Sequence, residues 1–152
     1  MSDRDPTAVF GRSIALVGGD FTLAAGDLAQ VSGRDNFGQA LQVIVETPFG
    51  SDPINVNYGL DVAAIFTVAS SVRSIKDVVR LNLVKSLAAD DRVHEVKEIV
   101  FDDEPDFERL APEFAGGDPG TRARRGRLWH AVVALTSAAG TQQQVIVSGA
   151  SP

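Results

Sequence analysis

The sequence predicts an α+β domain in which about three helices pack on one face of a mainly antiparallel sheet. Two observations carry that prediction. The hydrophobic pattern begins as short β-prone runs, switches to a helical repeat at Asp35, and returns to alternation in the last third of the chain. The resulting order of strands, helices and strands is that of helices segregated on an antiparallel sheet. With 152 residues, 44% hydrophobic and 22% charged, the chain has the length and composition of one domain with its own core.

Residues 1 to 12 carry Asp3, Arg4, Asp5 and Pro6 with few apolar neighbours, and are expected to form a flexible arm. The domain proper is expected over 13 to 148, with a short tail at 149 to 152. Two β-prone runs, 13 to 17 and 21 to 23, flank Gly18 and Gly19, whose tolerance of positive φ suits a tight hairpin. Next, Phe37, Ala40, Leu41, Ile44 and Val45 fall on one helical face, with Asp35 or Asn36 as N-cap and an end near Thr47. Pro48, Gly50 and Pro53 then mark a turn that leads into a loop reaching about Tyr58.

A second, shorter helix is expected from near Gly59, carried by Leu60, Ala63, Ala64 and Phe66. A third spans about 74 to 88, with Ser74 as its cap and Asp77 closing a capping box. Apolar residues Ile75, Val78, Val79, Leu81, Leu83, Val84 and Leu87 cover most of its circumference, so a central position is expected. Its polar stripe, Arg73, Lys76, Asp77 and Arg80, faces water or a partner, with Asp77 placed to pair with either arginine.

Strands follow at 93 to 101, 128 to 136 and 142 to 148; in the second, Trp129, Ala131, Val133 and Leu135 share one face. Between the first two lies a long, mobile loop, 102 to 127, with one helical turn around 107 to 110.

Composition narrows the function. A formal charge of -6 opposes binding to a polyphosphate backbone, so no nucleic acid partner is expected. The absence of cysteine removes disulfides, thiolate metal sites and cysteine nucleophiles. No apolar run is long enough to span a bilayer and the first residues lack a signal-peptide core, which predicts synthesis in the cytoplasm without membrane insertion. His94 and His130 have no metal-ligand spacing, and the glycine runs lack the lysine and helix of a phosphate loop. Asp102, Asp103 and Glu104 read as a solvated turn, not as a glycosidase pair held in a cleft. Arg122, Arg124, Arg125 and Arg127 make a basic cluster that either grips an acidic partner or is solvated.

Three segments, in order and spacing, resemble a known family. They are Gly33-Arg34-Asp35-Asn36-Phe37-Gly38-Gln39-Ala40-Leu41 with Thr47-Pro48-Phe49-Gly50; Asn57-Tyr58-Gly59-Leu60-Asp61; and the run from Ile75 through Leu87 to Asp90-Asp91-Arg92-Val93. Together they resemble the small baseplate wedge, or sheath-initiator, proteins of contractile phage tails and contractile injection systems, a family once labelled lysozyme-like. Many relatives have Glu-Pro-Arg where this chain has Asp90-Asp91-Arg92.

The resemblance implies a structural subunit of a baseplate, without cofactor or catalysis. Its partners would be the sheath protein and other wedge proteins, with tube or hub proteins beyond them. Arg92 and Asp90 are then the candidates for wedge docking, joined by Arg73, Lys76 and Arg80 of the polar stripe. Arg92 has two readings: a fork onto a partner's carboxylate, or a pair with Asp90 or Asp91. Gln144, Val145, Ile146 and Val147 form the candidate sheath-contact strand, because an unpaired edge templates strand addition. The alternatives are a cell-wall-degrading glycoside hydrolase and a generic soluble adaptor.

Overall fold

A computed structural model describes residues 6–61, 71–112 and 128–150. The helix expected from near Gly59, beyond its first residues, and the arginine cluster lie outside the described residues. The elements are α1 (Pro6–Phe10), β1 (Arg12–Ile14), β2 (Leu16–Val17), β3 (Asp20–Phe21), β4 (Leu23–Ala24), β5 (Asp27–Leu28) and β6 (Gln30–Ser32). They are followed by α2 (Gly33–Glu46), α3 (Val72–Leu87), β7 (Val93–Phe101), α4 (Phe107–Leu110), β8 (Leu128–Ser137) and β9 (Gln142–Ala150). The class is α+β, as the periodicity predicts.

Where the sequence predicts a flexible arm, residues 6 to 10 form α1. Phe10 is buried and its ring stacks on Phe37 at 5.0 Å. The polar composition around it hides this anchor, which Val9 joins against the core and which hydrogen bonds from Asn36 and Arg92 to the Phe10 carbonyl also hold.

Six short strands then make a lobe. β1 and β6 pair as its stem, and β2–β3 and β4–β5 are two hairpins growing from it. The three meet where the Ala15 amide donates to the Ala29 carbonyl and the Ala29 amide to Thr22, both at 2.8 Å. Gly18 and Gly19 turn the first hairpin at φ 60° and 87°, the expected left-handed pair. The second hairpin turns on Ala25 and Gly26 at φ 52° and 86°; an alanine in that role gives little sequence signal.

α2 starts two residues before the expected cap, with Ser32 at its N-cap position. Asn36 is buried inside it and donates through Nδ2 to the Phe10 carbonyl at 2.7 Å, so it clamps α1 and does not cap α2. Phe37, Leu41, Ile44 and Val45 face the core as expected. α3 begins at Val72, its cap being Ser71, whose hydroxyl accepts from the Ser74 amide at 3.2 Å. Val79, Leu83 and Leu87 are fully buried, but Leu81 is 69% exposed and Val84 also faces outward. The helix is therefore one-sided and not surrounded.

The sheet has the order β7-β8-β9, all antiparallel, with Val133 opposite both Ile99 and Val145. One face carries Phe101, Ala131, Val133, Leu135, Val145 and Val147, packed with residues of α1, α2 and α3. Full burial of each large aliphatic or aromatic side chain here contributes about 1.5 to 3 kcal/mol. The opposite face is not bare: Val100 and Val132 pack with Phe107, Leu110 and Ala111, so the single turn α4 covers part of it. β9 runs past 148, where the sequence reading starts a tail, because Gly149 pairs with Trp129 and its missing Cβ leaves room for the indole.

Candidate functional site

The three segments that carry the resemblance meet in space. Thr47 and Pro48 run beside Leu60, with the Leu60 amide donating to the Thr47 carbonyl at 2.8 Å and the Phe49 amide to Leu60 at 3.0 Å. Gly59 makes that approach possible. At φ 104°, with the Thr47 oxygen 2.4 Å from where a Cβ would stand, no other residue fits. The Gly59 carbonyl in turn accepts from the Ser86 hydroxyl of α3 at 2.8 Å. The tyrosine–glycine pair is thus a strap between the end of α2 and the end of α3.

At the end of α3 the chain turns through Asp90 and Arg92. The Arg92 guanidinium forks onto Asp90, Nε to Oδ1 at 2.9 Å and Nη2 to Oδ2 at 2.6 Å, while the Arg92 amide also donates to Oδ1 at 2.9 Å. Its third nitrogen, Nη1, reaches the Phe10 carbonyl at 3.4 Å, and the guanidinium lies over the Phe37 ring, 5.5 Å from its centre. The hydrogen bonds from Arg92 hold the Asp90 carboxyl below its ordinary pKa, and the same bonds raise that of Arg92. Tyr58 beside them has its phenol raised, by burial first and by the Asp90 charge second. Of the two readings of Arg92, the geometry is that of the internal pair. The fork that a partner's carboxylate would need is already filled.

The polar stripe of α3 is also used internally. Lys76 binds the Asp103 carboxylate and sits near Glu104 at 3.8 Å. Arg80 donates to Glu104 at 2.5 Å and to the Ile99 carbonyl at 3.4 Å, and both cations lie over the Phe101 ring. Glu104 closes the turn after β7 by accepting from the Phe101 amide at 3.1 Å. Asp102 accepts from the His130 amide at 3.1 Å. The acidic run is therefore a structural turn held by α3 and β8, where the sequence reading has it solvated. Asp77 pairs with Arg80 at 3.4 Å, as one of its two expected options, and Arg73 is exposed at the start of the helix.

β9 lies at one edge of the sheet and, among the described residues, has β8 as its one strand partner. Gln144 and Ser148 are exposed and Ile146 is half-buried, whereas Val145 and Val147 point into the core. Arg34 of α2 braces the beginning of the strand, with Nη2 on the Gln142 carbonyl at 2.7 Å and Nε on the Gln143 side chain at 3.0 Å. Beside it is a cavity of about 570 Å³ lined by Arg34, Lys97, Arg109 and Gln144, with Glu98 as its one carboxylate. Glu98 is engaged there by Arg109 at 2.9 Å.

Sequence reasoning misses Phe10 and Asn36 as parts of this assembly. The one available signal is Val9-Phe10, an apolar pair in an otherwise polar stretch. Among the described residues no helix is long and apolar enough to cross a membrane, and no three His, Asp or Glu side chains gather as a metal site.

No protein-family model matches the sequence, and no curated protein matches it. Among solved structures, a protein of Geobacter sulfurreducens provisionally named a tail lysozyme is similar at a TM-score of 0.42 and 11% identity, over 86% of this chain and 96% of that one. The functional reading therefore rests on this chain's own residues.

Proposed function

We propose that this chain is a structural, non-enzymatic subunit of a contractile tail or contractile injection particle. In this reading it is a baseplate wedge protein that docks to other wedge proteins and starts sheath assembly by accepting a strand along β9. The observation that carries the reading is the outer edge of β9. Nine residues long, it is anchored from inside by Val145 and Val147 and has no strand beyond it among the described residues. Beyond Gln142, whose carbonyl Arg34 takes, it offers at about 3.4 Å per residue roughly 27 Å of edge, a template for another chain. A sheath grows by head-to-tail contacts that do not close on themselves, so its first ring needs such a template.

The convergence of the three resemblance segments supports the same reading. Asp90 and Arg92 act here as a brace that presents the surface around α1 and α2, and do not themselves grip the partner. Of the three cations of the α3 stripe, Arg73 is the one left exposed for contact.

The test is affinity purification of the tagged chain from cells assembling the particle, comparing the natural sequence with Gln144→Lys/Ser148→Lys. Both positions are exposed, so the fold is kept, and lysines on an edge discourage strand addition. Sheath and wedge subunits should accompany the natural chain, and the lysine variant should lose the sheath and retain the wedge. Sheath retained by the variant sinks the edge mechanism. Absence of any tail protein, with sugar released from peptidoglycan by the pure chain, replaces the structural reading with a hydrolase.

A further inference from the structure

The lobe of β1 to β6 exposes large apolar side chains that its own structure does not use. Val17 and Phe21 are each 68% exposed and Leu23 is 72% exposed, with Ile14 and Leu28 also at the surface. Leu16 stands opposite Phe21 across one hairpin and Leu23 opposite Leu28 across the other, so each apolar pair occupies one side of its ribbon. Two-stranded ribbons are marginal in water, and an apolar side left open is a side meant to be covered.

These side chains do not attach the lobe to the domain. That attachment is polar: Gln39 of α2 accepts from the Leu16 amide and donates to the Ile14 carbonyl, both at 2.8 Å. The lobe is also preformed, its turns set by Gly18-Gly19 and Ala25-Gly26, so docking would cost little ordering. Its charge selects the occupant. The two hairpins, residues 16 to 28, carry two acids, Asp20 and Asp27, and no lysine or arginine; the one cation of the lobe, Arg12, stands at its stem, paired across from Ser32. A lobe against the lobe of a second copy would set like charges together, in a chain already at -6.

We propose that this lobe is a docking surface for a different protein, one that presents an apolar patch rimmed by lysine or arginine. The inference stands on the lobe alone and does not depend on the tail reading or on β9.

The experiment places a photoreactive benzoylphenylalanine at position 21 of the full chain in its own cells and maps the crosslinked peptide by mass spectrometry. The expected adduct joins position 21 to another protein, at a site with apolar side chains and at least one neighbouring lysine or arginine. Two variants should each lower its yield about tenfold or more: Leu23→Ser/Leu28→Ser through lost apolar contact, and Asp20→Lys through reversed charge. Asp20 lies at an exposed position, and its replacement leaves every apolar side chain and the Asp27 bond to the Leu28 amide in place, which separates lost docking from a misfolded lobe. An adduct with a second copy, with an acidic surface or with lipid overturns the proposal, as does the absence of any adduct or a yield that neither variant changes.

Discussion

Arg92 and Asp90 form a two-pronged pair, with Nη2 to Oδ2 at 2.6 Å and Nε to Oδ1 at 2.9 Å. The same arginine touches the Phe10 carbonyl and the Phe37 ring. One side chain therefore ties the turn after α3 to α1 and α2. Asp90→Asn should cost about 2 kcal/mol in urea unfolding, the range for charge-assisted hydrogen bonds that leave a partly buried cation behind. A cost below a few tenths would show that the brace is not structural.

The same pair gives a pH dependence. Because hydrogen bonds from Arg92 hold the folded Asp90 below its unfolded pKa, the unfolded chain binds the proton more readily. The stabilisation is fully present above the unfolded value of about 3.9 and is lost as pH falls through the lower, folded value. The stability gap between the natural chain and Asp90→Asn should be constant near neutrality and shrink below about pH 4, as read by unfolding curves at stepped pH. A gap that widens on acidification contradicts the sign.

Phe10→Ala should destabilise the domain by about 3 kcal/mol, since it removes a buried ring stacked on Phe37. Were the first residues a loose arm, the substitution would leave the unfolding midpoint where it is.

Gly149→Ala should displace the only tryptophan. A Cβ there would lie 2.2 Å from Trp129 Cζ2 and 2.4 Å from Cε2, and the indole packs against Phe101 at 5.7 Å between ring centres. Intrinsic fluorescence should shift towards that of exposed tryptophan, with a loss of about 1 to 3 kcal/mol from overpacking. An unchanged spectrum would mean that the strand end adapts freely.

Ala25→Asn should stabilise the lobe by about 1 kcal/mol, because asparagine tolerates the left-handed conformation that Ala25 holds at φ 52°. Amide hydrogen exchange at Leu28 and Ala29 should slow, and no change there would mean the turn is not strained.

Local patterning determined the α+β class, the buried face of α2 from Phe37 to Val45, the three long strands, the glycine hairpin and the one-turn helix at Phe107. Those features are local: alternation, a helical repeat and turn residues act over a few neighbours. Tertiary structure decided what depended on partners distant in sequence. Ser71 displaced Ser74 as cap, and Asn36 gave up capping to hold Phe10, 26 residues away. Lys76 and Arg80, which look solvent-facing along their own helix, reach Asp103 and Glu104 across 27 and 24 residues. Arg92 could face a partner or its own chain as far as spacing is concerned. The turn that sets Asp90 two residues before it, against Phe10 and Phe37, turns it inward, because a guanidinium leaving water at that node needs its carboxylate at hand.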